Sequence, residues 1–168
     1  HRHYRRQRQM CIRDSQHPVA HELLDNGKSE QSFWWSHSAT KLDLKCRCDK
    51  INGDTVIDLK TTGEGGASPK AFTSSIVAFN YHLQAAHYLQ GTGAKRFIFV
   101  AIEKVFPYNI GIYELDNEFI DTGYELQEQA LLKVFEAIET GKWLGYTDSE
   151  PNGIQTLDKP YWLNSNHD

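Results

Sequence analysis

The stretch KCRCDKINGDTVIDLKTT, residues 45–62, decides the fold of this chain. It predicts two β-strands around a short turn, because the Asn-Gly pair at 52–53 is a strong turn signal and the flanking residues alternate in polarity. Residues two apart share one face of a strand, so Asp58 and Lys60 point the same way. On this pattern Leu59 points into the core.

A second carboxylate, Asp49, lies on the preceding strand. A two-residue turn places it on the same face as Asp58, whereas a three-residue loop or a bulge changes this parity. Neighbouring carboxylates repel each other unless a cation lies between them. Oxygen ligands with open water positions suit Mg²⁺ or Mn²⁺, and the Leu59 carbonyl could add one more oxygen.

Lys60 adds a catalytic role to the pair of carboxylates. An ammonium beside a metal could orient a water or stabilise the charge that develops on a scissile phosphate. Together with Asp49 and Asp58 it therefore predicts metal-assisted phosphodiester hydrolysis. The alternative is an ordinary exposed Asp–Lys ion pair of little consequence.

The rest of the chain predicts an α/β or α+β fold with a central mixed sheet flanked by helices. The predicted elements are a helix over 17–27, strands over 32–36, 41–49 and 55–61, helices from Pro69 and over 81–91, strands over 96–105 and 108–115, and a helix over 117–140. The apolar run over 96–105 is typical of a strand covered on both faces. In the tail we expect four docked aromatic residues, Trp143, Tyr146, Tyr161 and Trp162.

The helix over 81–91 adds two polar residues. Gln84 and Tyr88 are four apart and share a helix face. Both can hydrogen-bond to phosphate oxygens or to carboxylates of a metal site. The alternative is an ordinary amphipathic helix with a polar face.

These features together resemble a known family. The order of Glu30, Asp49, the D-L-K motif at 58–60 and the Q-x-x-x-Y motif at 84–88 is similar to the PD-(D/E)xK nuclease superfamily. The stretches SEQSFWW, KCRCDKI, VIDLKTT, AFTSSIVAFNYHLQAAHYLQG, FVAIEKVFPYNIGIYEL and GKWLGY resemble the C-terminal nuclease domain of exonuclease VIII (RecE-type) and its phage relatives, over residues 18–163.

The resemblance implies a restriction-endonuclease-like core and a role for each matched residue. Asp49 and Asp58 would be metal ligands and Lys60 the catalytic lysine. Glu30 would be the acidic residue preceding the sheet, as a ligand or close to one. The last two matched residues, Gln84 and Tyr88, would brace the site or touch DNA.

The resemblance also implies an activity. Relatives degrade linear double-stranded DNA from its ends in the 5′→3′ direction with Mg²⁺, as ring-like oligomers, beside a single-strand annealing protein in phage or prophage recombination. A catalytically silent DNA-binding or scaffold module and a structure-specific endonuclease are the alternatives. Two features depart from the family: Cys48 replaces the Pro before the first Asp, and the metal-site His or Glu of an upstream helix is not matched, since His21 is a poor substitute.

Residues 1–15 differ from the rest of the chain. They hold five Arg and one Asp and resemble translated sequencing-adapter read-through, so we expect a non-native or disordered leader before one nuclease domain over 16–168 that lacks its native N-terminus. The chain carries 18 Lys and Arg against 22 Asp and Glu, or −4; without residues 1–15 the balance is 13 against 21, or −8. DNA contact can then be local, through Lys41, Lys45, Arg47, Lys50, Lys70, Lys95 and Arg96.

Other signals are weaker. Cys46 and Cys48 are expected to be buried, and neither a zinc site nor an iron–sulfur cluster is expected, because each normally needs four ligands. Trp34 and Trp35 could stack on bases, with one of the pair in the core, and Glu103 is expected at the surface. There is no secretory signal and no long apolar run, so we expect a cytoplasmic protein without a membrane span.

Overall fold

The computed structural model describes residues 17–148, 150 and 152–160. The elements in chain order are α1 (Pro18–Asp25), β1 (Lys28–Ser36), β2 (Asp43–Asn52), β3 (Thr55–Thr62), α2 (Pro69–Ala78), α3 (Tyr81–Thr92), β4 (Arg96–Glu103), β5 (Ile110–Glu114) and α4 (Asn117–Thr140). This is the predicted order. The chain divides into two compact units, up to Leu131 and from Leu132 onwards. The predicted leader over residues 1–15 lies outside the described residues.

The five strands form one sheet in the order β1-β2-β3-β4-β5. Every neighbouring pair is antiparallel except β3 and β4, which are parallel. A parallel pair needs a long crossover connection, and here α2 and α3 supply it. The predicted mixed sheet flanked by helices is therefore confirmed, and the chain is α+β. Within the described residues, no helix is both long and apolar enough to cross a membrane.

The core lies on both faces of the sheet. Val56 and Phe99 belong to a large cluster with side chains of α2 and α3, including Phe72 and Leu89. The next residues along the two strands point the other way, because strand side chains alternate between faces. They form a smaller cluster with α1, made of Ala20, Ile57, Val100 and Ile102. We call these the α3 face and the α1 face of the sheet.

Several boundaries differ from the prediction, and two of them bear on the packing. Strand β1 begins at Lys28, four residues before the predicted start, and helix α3 continues past Gly91 to Thr92, with Gly93 as its C-cap at a φ of 70°. Gly91 is a packing residue and not a helix stop. A Cβ added there would lie 2.2 Å from Cζ3 of Trp35, so the absence of a side chain lets the indole approach the helix.

The packing at Gly91 predicts a loss of stability on substitution. In Gly91→Ala, higher helix propensity favours the variant by about 1 kcal/mol, but the added methyl overlaps the Trp35 ring, and overpacking costs about 1–3 kcal/mol. The free energy of unfolding measured in urea should therefore fall. Gly63→Ala is the matched control, since nothing lies within 4 Å of the added Cβ there. Equal stability of both variants would contradict this packing.

Two expectations about burial are wrong. Leu59 is 40% exposed and not part of the core, because α1 covers Ile57 while Leu59 lies further along β3. In the tail, Trp143 and Tyr146 are exposed and not docked. The other two tail aromatics, Tyr161 and Trp162, lie outside the described residues.

Candidate active site

Strands β2 and β3, which form the opening stretch, stop pairing at Asp49. Their turn has two residues, and the paired register runs from Asn52 and Thr55 to Lys50 and Ile57. The next opposed positions are Asp49 and Asp58. There Oδ2 of Asp49 accepts a hydrogen bond from the backbone N–H of Leu59 at 2.9 Å. The Asp49 carboxylate thus holds the β3 backbone at the point where the strands diverge, which we call the fork.

A local distortion turns Asp49 toward β3. Ile51 and Cys48 both pack in the cluster of the α3 face, whereas Lys50 donates to the Leu24 carbonyl on the α1 side. Strict alternation cannot give this pattern, so the pleat shifts by one residue at Asp49. Glu30, which is opposite Asp49 in the register of β1 and β2, has a φ of 55°. The two strands are distorted together at this level.

Asp58, Lys60 and Gln84 form a closed ring of contacts. Asp58 is 3% exposed. Its Oδ2 lies 2.5 Å from Lys60 Nζ, and its Oδ1 accepts a hydrogen bond from Gln84 Nε2 at 2.6 Å. Lys60 Nζ also donates to Gln84 Oε1 at 2.9 Å. Gln84 therefore fixes the carboxylate and the ammonium at the same time.

Aromatic rings complete the surroundings of Lys60. Its Nζ lies 4.6 Å from the ring centroid of Tyr81 and 5.8 Å from that of Phe99, and such contacts favour a cation. Tyr88 packs edge-on against Phe97. Burial raises the pKa of the Tyr88 hydroxyl, and a hydrogen bond with Gln84 opposes that rise. Tyr81 was missed in the sequence, although its spacing of three from Gln84 places it on the same helix face.

The site is electrostatically prepared for a cation. Burial raises the pKa of the Asp58 carboxyl, Lys60 lowers it, and Asp49 raises it again by repulsion. Oδ2 of Asp58 is buried and paired with the Lys60 ammonium at 2.5 Å. A further cation near Asp49 and Asp58 would relieve the repulsion between the two carboxylates.

The donor set fits a hard divalent ion. In the part of the chain that the structure describes, no three His, Cys, Asp or Glu side chains are grouped to hold a metal. Two carboxylates at the fork would leave most coordination positions to water and substrate, as Mg²⁺ prefers. Asp49 and Asp58 are the side chains that would hold it, and the predicted Leu59 carbonyl ligand stays a prediction. The two thiols pack in the core cluster of the α3 face, where burial raises the pKa of Cys48 to about 12.

Glu30 is not placed as expected. It lies within β1 and not before the sheet, and its Oε2 contacts Arg47 Nε at 2.6 Å. Both side chains are more than half exposed. The sequence could not show this, because β1 begins earlier than its pattern indicates. A role of Glu30 as a metal ligand stays a prediction.

Two other expectations are wrong, and one about the cysteines is confirmed. Lys50 is buried and donates to the Leu24 carbonyl, so it is wrong as a DNA contact. Glu103 is 2% exposed and not at the surface, and it accepts a hydrogen bond from Asn109 Nδ2 at 3.1 Å. Cys46 and Cys48 are buried and free, as predicted.

Comparison with known proteins shows the family of the chain. Residues 1–150 match the family described as "PDDEXK-like domain of unknown function (DUF3799)". The chain belongs to this family. The predicted superfamily is therefore confirmed, and the mixed sheet with its helices is a PDDEXK-like fold.

A solved structure shares the fold of this PDDEXK-like domain. The crystal structure of a "Putative exonuclease" from Eubacterium rectale has a TM-score of 0.69 at 14% identity, covering 95% of this chain and 64% of that one. The domain thus spans about two thirds of the length of that relative. The structure of SSO0001 has 21% identity over 71% of this chain and 57% of that chain, with a TM-score of 0.42, a likeness too weak to bear on the fold. No curated protein matches the sequence.

The ring around Gln84 predicts a graded effect on catalysis. Gln84→Ala removes both hydrogen bonds that orient Asp58 and Lys60, and loss of such an outer contact to a metal site typically costs about 10–100-fold in activity or metal affinity. Phosphodiester cleavage by the PDDEXK-like domain should fall by this factor. Gln129→Ala, at an exposed position on α4, is the matched control and should leave the rate unchanged. A rate for Gln84→Ala equal to that control would contradict the orienting role.

Proposed function

We propose that this chain is a Mg²⁺-dependent deoxyribonuclease that degrades double-stranded DNA from its ends. The observation that supports it most is the ring of Asp58, Lys60 and Gln84 beside Asp49 at the fork. This arrangement brings two carboxylates and one ammonium to a single point on the sheet, which suits phosphodiester hydrolysis. Three finer features of the proposal rest on the resemblance to exonuclease VIII. They are a 5′→3′ polarity, a recombination role beside an annealing protein, and an oligomeric assembly.

Each residue of the site has a role in the proposal. Asp49 and Asp58 would bind Mg²⁺, which when bound would supply Lewis-acid activation of the phosphodiester. Lys60 would stabilise the negative charge that develops on the phosphate, a contribution typically larger than that of any other single group. Gln84 and the Tyr81 ring hold the ammonium in place before substrate binds. The partly buried site also strengthens each of these interactions, because less water screens the charges.

The test uses purified chain with three DNA substrates. Linear duplex labelled at the 5′ end, linear duplex labelled at the 3′ end and covalently closed circular duplex are each incubated with Mg²⁺ or with EDTA. We expect early release of 5′-terminal nucleotides from linear duplex with Mg²⁺, and neither linear cleavage in EDTA nor cleavage of the circle.

The other outcomes separate the alternatives. Cleavage of the closed circle would identify an endonuclease. Binding of duplex without cleavage would favour a silent DNA-binding module. Activity that is equal in wild type and in a variant lacking Lys60 would come from a contaminant or another site.

A further inference from the structure

The exposed face of β1 and β2 carries an aromatic residue beside two cations, with the acid Asp43 at its far end. Trp34 is 73% exposed, although it lies within a strand. In the register it is directly opposite Lys45, and Arg47 is the next exposed residue along β2. Side chains opposite each other on neighbouring strands lie in contact range. We call Trp34, Lys45 and Arg47 the strand-face patch.

The orientation of Trp34 is fixed by its neighbour. Trp35 points into the protein, where its ring lies 4.7 Å from that of His87 and its Nε1 donates to Gln90 Oε1 at 3.3 Å. The same ring fills the space that Gly91 leaves open on α3. Because successive side chains on a strand point to opposite faces, this anchoring holds Trp34 outward. The exposed indole therefore projects from the face of the sheet opposite α3.

The strand-face patch lies on the face of the sheet opposite Asp58 and Lys60, and its Arg47 end borders the fork. Arg47 is two residues before Asp49 on β2, a separation of about 7 Å along a strand. Lys45 lies one further step away, opposite Trp34. The ion pair of Arg47 with Glu30 does not block the surface, because both side chains are well exposed and such pairs contribute little. A polyanion could therefore displace the Glu30 carboxylate and place one of its own anionic groups against Arg47.

Charge complementarity indicates which kind of molecule binds the strand-face patch. An exposed indole beside two cations fits a nucleic-acid strand, whose bases stack on aromatic rings while its phosphates contact Lys and Arg. The chain as a whole is acidic, with a net charge of −4, so local cations matter for a polyanion. A second copy pairing along the edge strand β1 would not use the cations of β2.

From these observations we infer that the strand-face patch binds a single DNA strand that leads to the fork, with a base stacked on Trp34 and phosphates at Lys45 and Arg47. This inference rests on the proposed nuclease function and adds a binding surface to it. It makes Trp34 a residue that binds substrate outside the group around Asp58. The sequence alone left both tryptophans open as stacking residues, and the structure singles out Trp34.

Binding is tested apart from cleavage. A fluorescein-labelled oligo-dT and the wild-type chain are titrated in EDTA, with anisotropy and tryptophan emission recorded together. Removal of a stacking aromatic should weaken binding about tenfold in Trp34→Ala, whereas Trp34→Phe should keep most of the affinity. Quenching of tryptophan emission by the DNA should occur in wild type and be strongly reduced in Trp34→Phe.

A salt series tests the cations. Lys45→Ala should lower the slope of log Kd against log salt by about 0.7, the value for one contact to a single strand. Lys28→Ala is the matched control. That lysine is exposed and lies opposite Ile51 at the start of β1, at the other end of the strand from Trp34. Its slope should equal that of wild type.

The outcomes separate this inference from the proposed function. Binding by wild type with unchanged affinity in Trp34→Ala overturns the inference and leaves the nuclease proposal standing. A shift of Trp34→Ala from dimer to monomer in sedimentation, without a change in DNA affinity, assigns the patch to a second copy and also overturns it. If wild type neither binds nor cleaves any DNA, the proposed function fails, and the inference fails with it.

Discussion

Replacing Lys60 by Met will reduce the proposed nuclease activity about a thousandfold, the usual cost of removing one preorganised group that stabilises transition-state charge. Met keeps most of the length of the side chain and its packing against Tyr81 and Phe99. Only the ammonium that contacts Asp58 and Gln84 is lost. The rate is measured on linear duplex with Mg²⁺, and the matched control is Lys28→Met, because Lys28 is an exposed lysine at the start of β1, outside the site.

The same variant has a pH signature without metal. Burial raises the pKa of the Asp58 carboxyl, and Lys60 opposes that rise. A group with a raised pKa in the folded state stabilises the protein at low pH, and that contribution is lost as pH rises through the folded-state pKa. Without Lys60 the loss is larger, up to about 3–5 kcal/mol for an unpaired buried charge.

In EDTA the melting temperature of Lys60→Met should therefore fall further below that of wild type at pH 8 than at pH 5. Thermal unfolding of both proteins at the two pH values measures this. A constant difference, or full activity in the variant, would mean that Lys60 is an ordinary surface lysine.

Much of the site could be predicted from the sequence, because it depends on relations between residues that are close along the chain. A two-residue turn fixes the register, and the register alone opposes Asp49 to Asp58. Helical spacing likewise places Gln84 and Tyr88 on one side of α3. Such relations within one element or across one tight turn need no knowledge of the rest of the fold.

What the sequence could not give is which face each element covers. The apolar Leu59 and the polar Asp58 indicate that the Leu side is buried, yet α3 covers the Asp58 side and Leu59 is 40% exposed. The polar face is buried because Gln84 and Tyr81 of α3 supply partners for the charges of β3. Predicting this burial would require knowing that the crossover through α2 and α3 lies over this face of β3. The distortion at Glu30 and the burial of Glu103 likewise depend on contacts between distant segments.

Asp58→Asn separates the charge of the carboxylate from its shape. The amide is nearly isosteric, and its Oδ1 can still accept from Gln84 Nε2, but its Nδ2 would face the Lys60 ammonium as one donor against another. The variant also removes one of the two anions at the fork. We expect a loss of activity of about a thousandfold or more, since both the charge stabilisation and the metal ligand are affected.

Metal binding gives this variant a readout that does not depend on cleavage. At a Mg²⁺ concentration 100 times its Kd, binding stabilises the folded wild type by about 2.7 kcal/mol, which appears as a rise in melting temperature over EDTA. Asp58→Asn should lose that rise. Asp54→Asn should retain it, because Asp54 lies in the exposed β2–β3 turn and only pairs with Lys95. A rise of equal size in both variants would place the metal away from Asp58, and Lys60 would then be paired with a carboxylate that has no part in catalysis.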